Sequence, residues 1–107
     1  MDNLLKKRCV PCEGGVRPMV WAEASGMLQQ VPGWTMEGGS KITRTFTFKN
    51  FRQAMSFVNK VADLAEREGH HPDIEISWNK VTLTLWTHAI GGLSPNDFIV
   101  AAKVDVL

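Results

Sequence analysis

Two segments that alternate apolar and polar residues, DIEISW (Asp73–Trp78) and VTLTLW (Val81–Trp86), are separated only by Asn79 and Lys80. Successive side chains of an extended chain point to opposite faces, and a two-residue link joins only antiparallel strands. The stretch therefore commits the chain to an antiparallel sheet with one apolar face. Pairing Trp78 with Val81 puts Ile76 opposite Leu83 and Ile74 opposite Leu85, with His71 opposite His88 if pairing runs past Pro72. The apolar face (Ile74, Ile76, Trp78, Val81, Leu83 and Leu85) must be covered by helices, and Trp78 is read as core. His71 and His88 fall on the opposite face with Asp73, Glu75, Thr84 and Trp86.

The rest of the chain supplies those helices. Asn50 and Gln53 have the spacing of a capping box, and Gly69 suits a left-handed C-terminal cap. Between them Phe51, Met55, Val58, Ala62 and Ala65 form an apolar stripe widened by Ala54, Val61 and Leu64. In LSPNDFIVAAKV, Ser94 caps, Pro95 takes the first helical position, Asp97 completes the box and Leu93 can staple onto Phe98. An earlier helix is predicted from Pro18 to a stop at Pro32, with Val20, Ala24, Met27 and Val31 inward. KITRTFTF alternates Ile42, Arg44, Phe46 and Phe48 against threonines, so it reads as a strand, with Trp34–Glu37 as its partner across GGS. The expectation is an α+β domain: an antiparallel four-stranded sheet with helices on one face, in the order α-β-β-α-β-β-α. Residues 1–17 read as an irregular arm and 18–107 as one domain.

Composition narrows the function classes. Twelve basic residues against 11 acidic ones give a net charge of +1, with no electrostatic support for a nucleic-acid or membrane partner. No apolar run approaches a membrane span and the opening MDNLLKKRCV lacks a signal core, so a cytoplasmic location is expected. Cys9 and Cys12 make a lone CxxC without the second pair that structural zinc needs or the preceding strand of a redox motif; they read as reduced thiols in an arm packed on a neighbour.

All three histidines, His70, His71 and His88, gather at the ends of the hairpin, just past the end of a helix. Histidine titrates near neutrality, so such a cluster suits proton transfer at pH 7. Three neutral imidazoles also suit zinc with an open fourth position. The third reading is structural: His70 ends a helix, where positive charge suits the dipole, and His71 and His88 form a surface cross-strand pair. The residues alone leave these readings open.

The pattern of Glu66, three residues, His70-His71-Pro72, five residues to Trp78, nine more to His88 and eight to Asp97 resembles the signature of the pterin-4a-carbinolamine dehydratases. CVPCEGG is similar to the arm of many bacterial members, and PGW matches the family's Trp before the first strands. The resemblance implies a lyase without cofactor or metal that dehydrates a 4a-hydroxytetrahydropterin to quinonoid dihydropterin in tetrahydropterin recycling. It implies that His70 and His88 are the acid–base pair and that His71 positions the pterin and assists. Backbone groups of Gly69, His70, His71 and Pro72 and of Trp86, Thr87, His88 and Ala89 would line the site, with Trp34 as an aromatic wall. Glu66 would orient His70 or stay a solvated charge, and Asp97 reads first as the helix cap. A homodimer or homotetramer is implied. The alternative is a pterin- or protein-binding accessory module, in molybdenum cofactor metabolism or as a transcriptional dimerisation cofactor.

Overall fold

The computed structural model describes residues 3–11 and 17–107. Its helices are α1 (Trp21–Leu28), α2 (Phe51–Glu68) and α3 (Pro95–Val104); its strands are β1 (Thr35–Glu37), β2 (Lys41–Thr47), β3 (Asp73–Ser77) and β4 (Lys80–Leu85). Short 3-10 turns occupy Leu4–Lys6 and His88–Ile90. The strands form one antiparallel sheet ordered β1-β2-β4-β3, so the α+β reading and the element order hold.

The period of two sorts the central strands. Val81, Leu83 and Leu85 of β4 are buried on one face, opposite Phe46, Arg44 and Ile42 of β2. Arg44 belongs to this apolar face because its guanidinium lies over the Phe46 ring and pairs with Asp105 at 2.9 Å. The opposite face is a threonine ladder, with Thr45 and Thr82 hydroxyls 2.9 Å apart and those of Thr43 and Thr84 3.3 Å apart. Helix α3 is buried along most of its length, and its staple residues Leu93 and Phe98 are both in the core.

The hairpin register differs from the sequence expectation. Ser77 pairs with Lys80, Ile76 with Val81 and Ile74 with Leu83, so the turn is Trp78-Asn79 and opposed residue numbers sum to 157 instead of 159. Asn79 decides this: its side-chain amide donates to the Phe48 carbonyl and its own carbonyl accepts the Phe48 N–H, tying it to the end of β2. Trp78 is left at the turn with φ 52°, 67% exposed, and is not core. A shift of two keeps every side chain on its expected face, but pairing stops at Asp73 and Thr84, so His71 and His88 are not cross-strand partners. Because β3 is an edge strand, Ile74 and Ile76 remain more than a third exposed.

α1 keeps Ala24, Met27 and Val31 inward as expected and differs only at Val20, whereas α2 turns part of its expected stripe outward. α1 begins only at Trp21, because the Met19 N–H donates to the Leu93 carbonyl and Val20 caps the helix, exposed; Val31 is buried beyond the helix end. α2 runs from Asn50, whose side chain accepts the Gln53 N–H, to Gly69 at φ 67°, but Gln53 reaches back to Lys49 N instead of Asn50 N. Its buried residues are Ala54, Val61, Leu64 and Ala65, while Phe51 and Ala62 face outward. Phe57 rotates the helix to this face by stacking on Phe46 and Phe48, with ring centroids 4.7 and 5.0 Å away.

A tryptophan at positive φ carries steric strain that asparagine tolerates better. We expect Trp78→Asn to stabilise the fold by about 0.5–1 kcal/mol in urea titrations. Destabilisation by a similar amount would instead show that the indole contributes packing at the turn.

Candidate active site

Gly69 ends α2 in the left-handed conformation that lets the chain reverse, and the N–H groups of both Gly69 and His70 return to the Ala65 carbonyl. This reversal aims His70 at the first turn of α3. There its Nε2 meets Asp97 Oδ1 at 2.6 Å, with Asp97 fully buried and the imidazole 12% exposed. The other Asp97 oxygen, Oδ2, accepts the Ser94 N–H at 3.0 Å and the Thr87 hydroxyl at 2.9 Å. Since Thr87 gives its only proton to Asp97, the Ser94 hydroxyl, 2.7 Å away, donates to Thr87. Asp97 is thus both helix cap and partner of His70. With a carboxylate accepting at Nε2, that nitrogen carries the proton and Nδ1 is the acceptor of the neutral ring.

His88 is presented by the loop after β4. Thr87 and Gly92 pair through Thr87 N–H to Gly92 O at 2.8 Å, and the 3-10 turn between them holds His88 outward. Gly92 is needed at this closure, because a Cβ there would lie 2.8 Å from Pro18. The His88 ring stacks on Trp86 at 4.0 Å, the Trp86 indole N–H donates to Asp73 Oδ2 at 3.1 Å, and Asp73 Oδ1 lies 3.9 Å from His88 Nε2. Lys41 completes this layer, its ammonium 4.7 Å from the Trp86 ring centroid. Glu66 bonds His71 Nε2 at 2.6 Å, not His70, and that pair is exposed.

The three histidines line one cleft of about 310 Å³ together with Gly69, Trp86, Thr87 and Ala89. That volume is at the lower end of what small-molecule sites enclose. Pro72 is buried beside the cleft without lining it. Trp34 is not brought there: it is 2% exposed in the core, its indole N–H donating to Asp105 at 3.0 Å. Among the described residues no three His, Cys, Asp or Glu side chains converge to hold a metal ion.

Sequence reasoning put Asp73 on the histidines' face without giving it a role, and missed the Thr87–Ser94 pair and the other side of the cleft, which is built by Val10, Pro11 and Asn96. The position of Asp73 directly after the HHP motif is the signal that marks it as a partner for a histidine. Nothing in the local pattern marks Val10, Pro11 or Asn96.

Next to this wall Cys9 is half-buried, its thiol directed at the Asn96 carbonyl at 3.6 Å and its N–H donating to Glu68 at 2.9 Å. Burial, then the Glu68 charge, pushes the thiol up to about 12, with Lys103 opposing in part. Burial would raise Glu68 as well, but hydrogen bonds from Lys103 and the Cys9 N–H, with the charges of Lys103 and Arg8, hold its carboxyl below the usual value. The arm therefore packs on its own chain. Cys12 lies outside the described residues.

The fold and cleft define an α+β domain with a histidine-lined small-molecule pocket. A sequence model of the pterin 4 alpha carbinolamine dehydratase family matches residues 17–107. Relatives from Rubrobacter xylanophilus (47% identical) and Chlorobaculum tepidum (49% identical) align over 100% of this chain and 100% and 99% of their own, and their names assign them provisionally to pterin-4-alpha-carbinolamine dehydratase. A crystal structure described as a transcriptional coactivator/pterin dehydratase from Brucella melitensis superposes with TM-score 0.79 at 33% identity, covering 84% of this chain and 97% of its own. A pterin dehydratase-like RuBisCO assembly factor of the alpha-carboxysome gives 0.59 at 25% identity, covering 69% of this chain and 87% of its own. The chain belongs to the pterin 4 alpha carbinolamine dehydratase family.

Two outcomes follow from this geometry. Asp97→Ala would leave three donors without their acceptor in a buried place, and we expect a loss of about 2–4 kcal/mol in urea unfolding; a loss below about 0.5 kcal/mol would contradict the hub. In a Cys12→Ser variant, Cys9 should react with iodoacetamide at pH 8 at least about tenfold more slowly folded than in urea, because only thiolate reacts. The folded thiol keeps its proton to about pH 12 whereas an ordinary cysteine, as in the unfolded chain, loses it near 9.0, so this residue's contribution to stability falls as pH rises through that window.

Proposed function

We propose that this protein dehydrates a 4a-hydroxytetrahydropterin to quinonoid dihydropterin by histidine acid–base catalysis, within tetrahydropterin recycling. The observation that carries the reading is the convergence of His70, His71 and His88 on one cleft, each with its own carboxylate: Asp97 and Glu66 at 2.6 Å and Asp73 at 3.9 Å.

The reaction breaks the C4a–O bond and forms a C4a–N5 double bond. One group must protonate the departing hydroxyl so that it leaves as water, and another must accept the proton lost from the ring N–H. His70 suits the acceptor. When Nδ1 takes the proton, the buried Asp97 stabilises the imidazolium through the Nε2–H it already binds, as carboxylates behind catalytic histidines do. His88 suits the donor, since it is 60% exposed and can recover its proton from solvent after each turnover. His71, turned by Glu66 at the rim, positions the pterin. Peptide groups at Gly69–His71 and Trp86–Ala89 offer the donors and acceptors that a pterin edge requires.

The same reading includes a cytoplasmic setting, where an aromatic amino acid hydroxylase supplies the hydroxylated pterin. Among the described residues no helix is long and apolar enough to cross a membrane. It also includes a homodimer or homotetramer, supported by the open β3 edge with Ile74, Ile76 and Trp78 exposed. That edge equally supports the second reading, an accessory module that binds another protein, as the names of the two solved relatives suggest for those proteins.

His70→Ala and His88→Ala should each lower kcat for 4a-hydroxytetrahydropterin by about 10²–10⁴-fold with the fold intact by circular dichroism. His71→Ala should act mainly on KM. Wild-type rates in both His70 and His88 variants would reject the mechanism, and no turnover by the unaltered protein would favour the accessory reading.

A further inference from the structure

We propose that the amino-terminal arm is a wall of the pterin pocket, with Val10 and Pro11 as contact residues that set substrate affinity and Asn96 as the residue that positions them. This rests on the pterin reading of the cleft.

Asn96 sits in the first turn of α3, 4% exposed and adjacent in sequence to the Asp97 that holds His70. Its side-chain amide makes both bonds that a neighbouring strand would make to Val10: the Val10 N–H donates to Oδ1 at 3.0 Å, and Nδ2 donates to the Val10 carbonyl at 2.6 Å. One residue earlier, the Cys9 N–H is held by Glu68, which is itself paired with Lys103 at 2.7 Å. Further back, Leu4 is anchored in the core at 3% exposure. The chain is thus tied at three places within the seven residues from Leu4 to Val10, yet the segment these ties fix leaves Val10 65% exposed and Pro11 exposed, both lining the cleft.

Ties of this kind gain nothing for the core from Val10 or Pro11, whose side chains are not in it. They gain an apolar surface beside His70, His71 and His88. A pterin is flat, with hydrogen-bonding edges and less polar ring faces, so peptide groups around Gly69 and Trp86 suit its edges and the Val10-Pro11 surface suits a face or ring substituent. The wall also displaces water from around the reacting carbon. The family-wide sequence model begins at residue 17, so the arm lies outside what that model describes, while the relatives from Rubrobacter and Chlorobaculum align across the arm as well. The proposed wall thus joins an arm outside the family-wide match to Asn96 within it.

The test uses the full-length protein with Val10→Ser, Val10→Ile and Asn96→Ala. Exposure of Val10 lets its variants fold. We expect Val10→Ser to raise KM for 4a-hydroxytetrahydropterin about tenfold, the usual effect of losing a methyl-sized contact or more, with kcat within about twofold and an unchanged melting temperature. Val10→Ile should restore KM, and Asn96→Ala should raise it at least as much as Val10→Ser. Titration with tetrahydrobiopterin, followed by tryptophan fluorescence, reads the same contact without turnover. Weaker binding in Val10→Ser supports the wall even where wild type fails to dehydrate, in which case only the reaction assignment falls. Unchanged KM and unchanged binding in Val10→Ser alongside normal wild-type turnover overturn the wall and leave the function standing. A wild type that neither binds nor turns over the pterin overturns both.

Discussion

One buried carboxylate organises the site. Asp97 lies at the start of α3 with no exposed surface, and its two oxygens together accept from His70, Thr87 and the Ser94 backbone. These donors come from three separate parts of the chain: the end of α2, the end of β4 and the capping residue of α3. Burying a carboxylate costs several kcal/mol unless donors replace its water, so the helix, the strand end and the imidazole are each held to the others by that need. His70 is oriented by the group that starts α3, and the loop carrying His88 begins at the Thr87 that the same group holds. Stability and chemistry meet in one side chain.

Around this fixed centre the site becomes progressively more open. His70 is nearly buried, whereas His71 and His88 are well exposed and steered by surface carboxylates. Exposed ion pairs contribute little to stability, so Glu66 and Asp73 are better understood as setting ring direction than as holding the fold. The gradient suits the proposed dehydration, in which one proton would be held in a defined place and the other would come and go with solvent.

Much of this was legible in the sequence, and the exceptions share a cause. The alternating strands, the α2 caps and the Ser94–Asp97 box are local patterns, and the structure follows them. The hairpin register slipped by two because Asn79 bonds to Phe48, a residue 31 positions away that no turn propensity can anticipate. Trp78 and Trp34 both departed from expectation for a similar reason: strand alternation puts Trp78 in the core, but the shifted turn ejects it, while Trp34, expected at the site, is buried where it finds Asp105 at the far end of the chain. Asp97 read as a cap because a box occupies one of its oxygens; the second oxygen, free to serve His70, is invisible to a pattern that counts residues. The arm's clamp, Asn96, has no periodic signal at all.

The most direct test of the account is the protonation pattern of the His70 ring, read from long-range proton–nitrogen NMR correlations of the folded protein at neutral pH. We expect the tautomer with the proton on Nε2, donated to Asp97, and none on Nδ1. A proton on Nδ1 instead, or a freely averaging ring, would contradict the claim that Asp97 organises the histidine cleft.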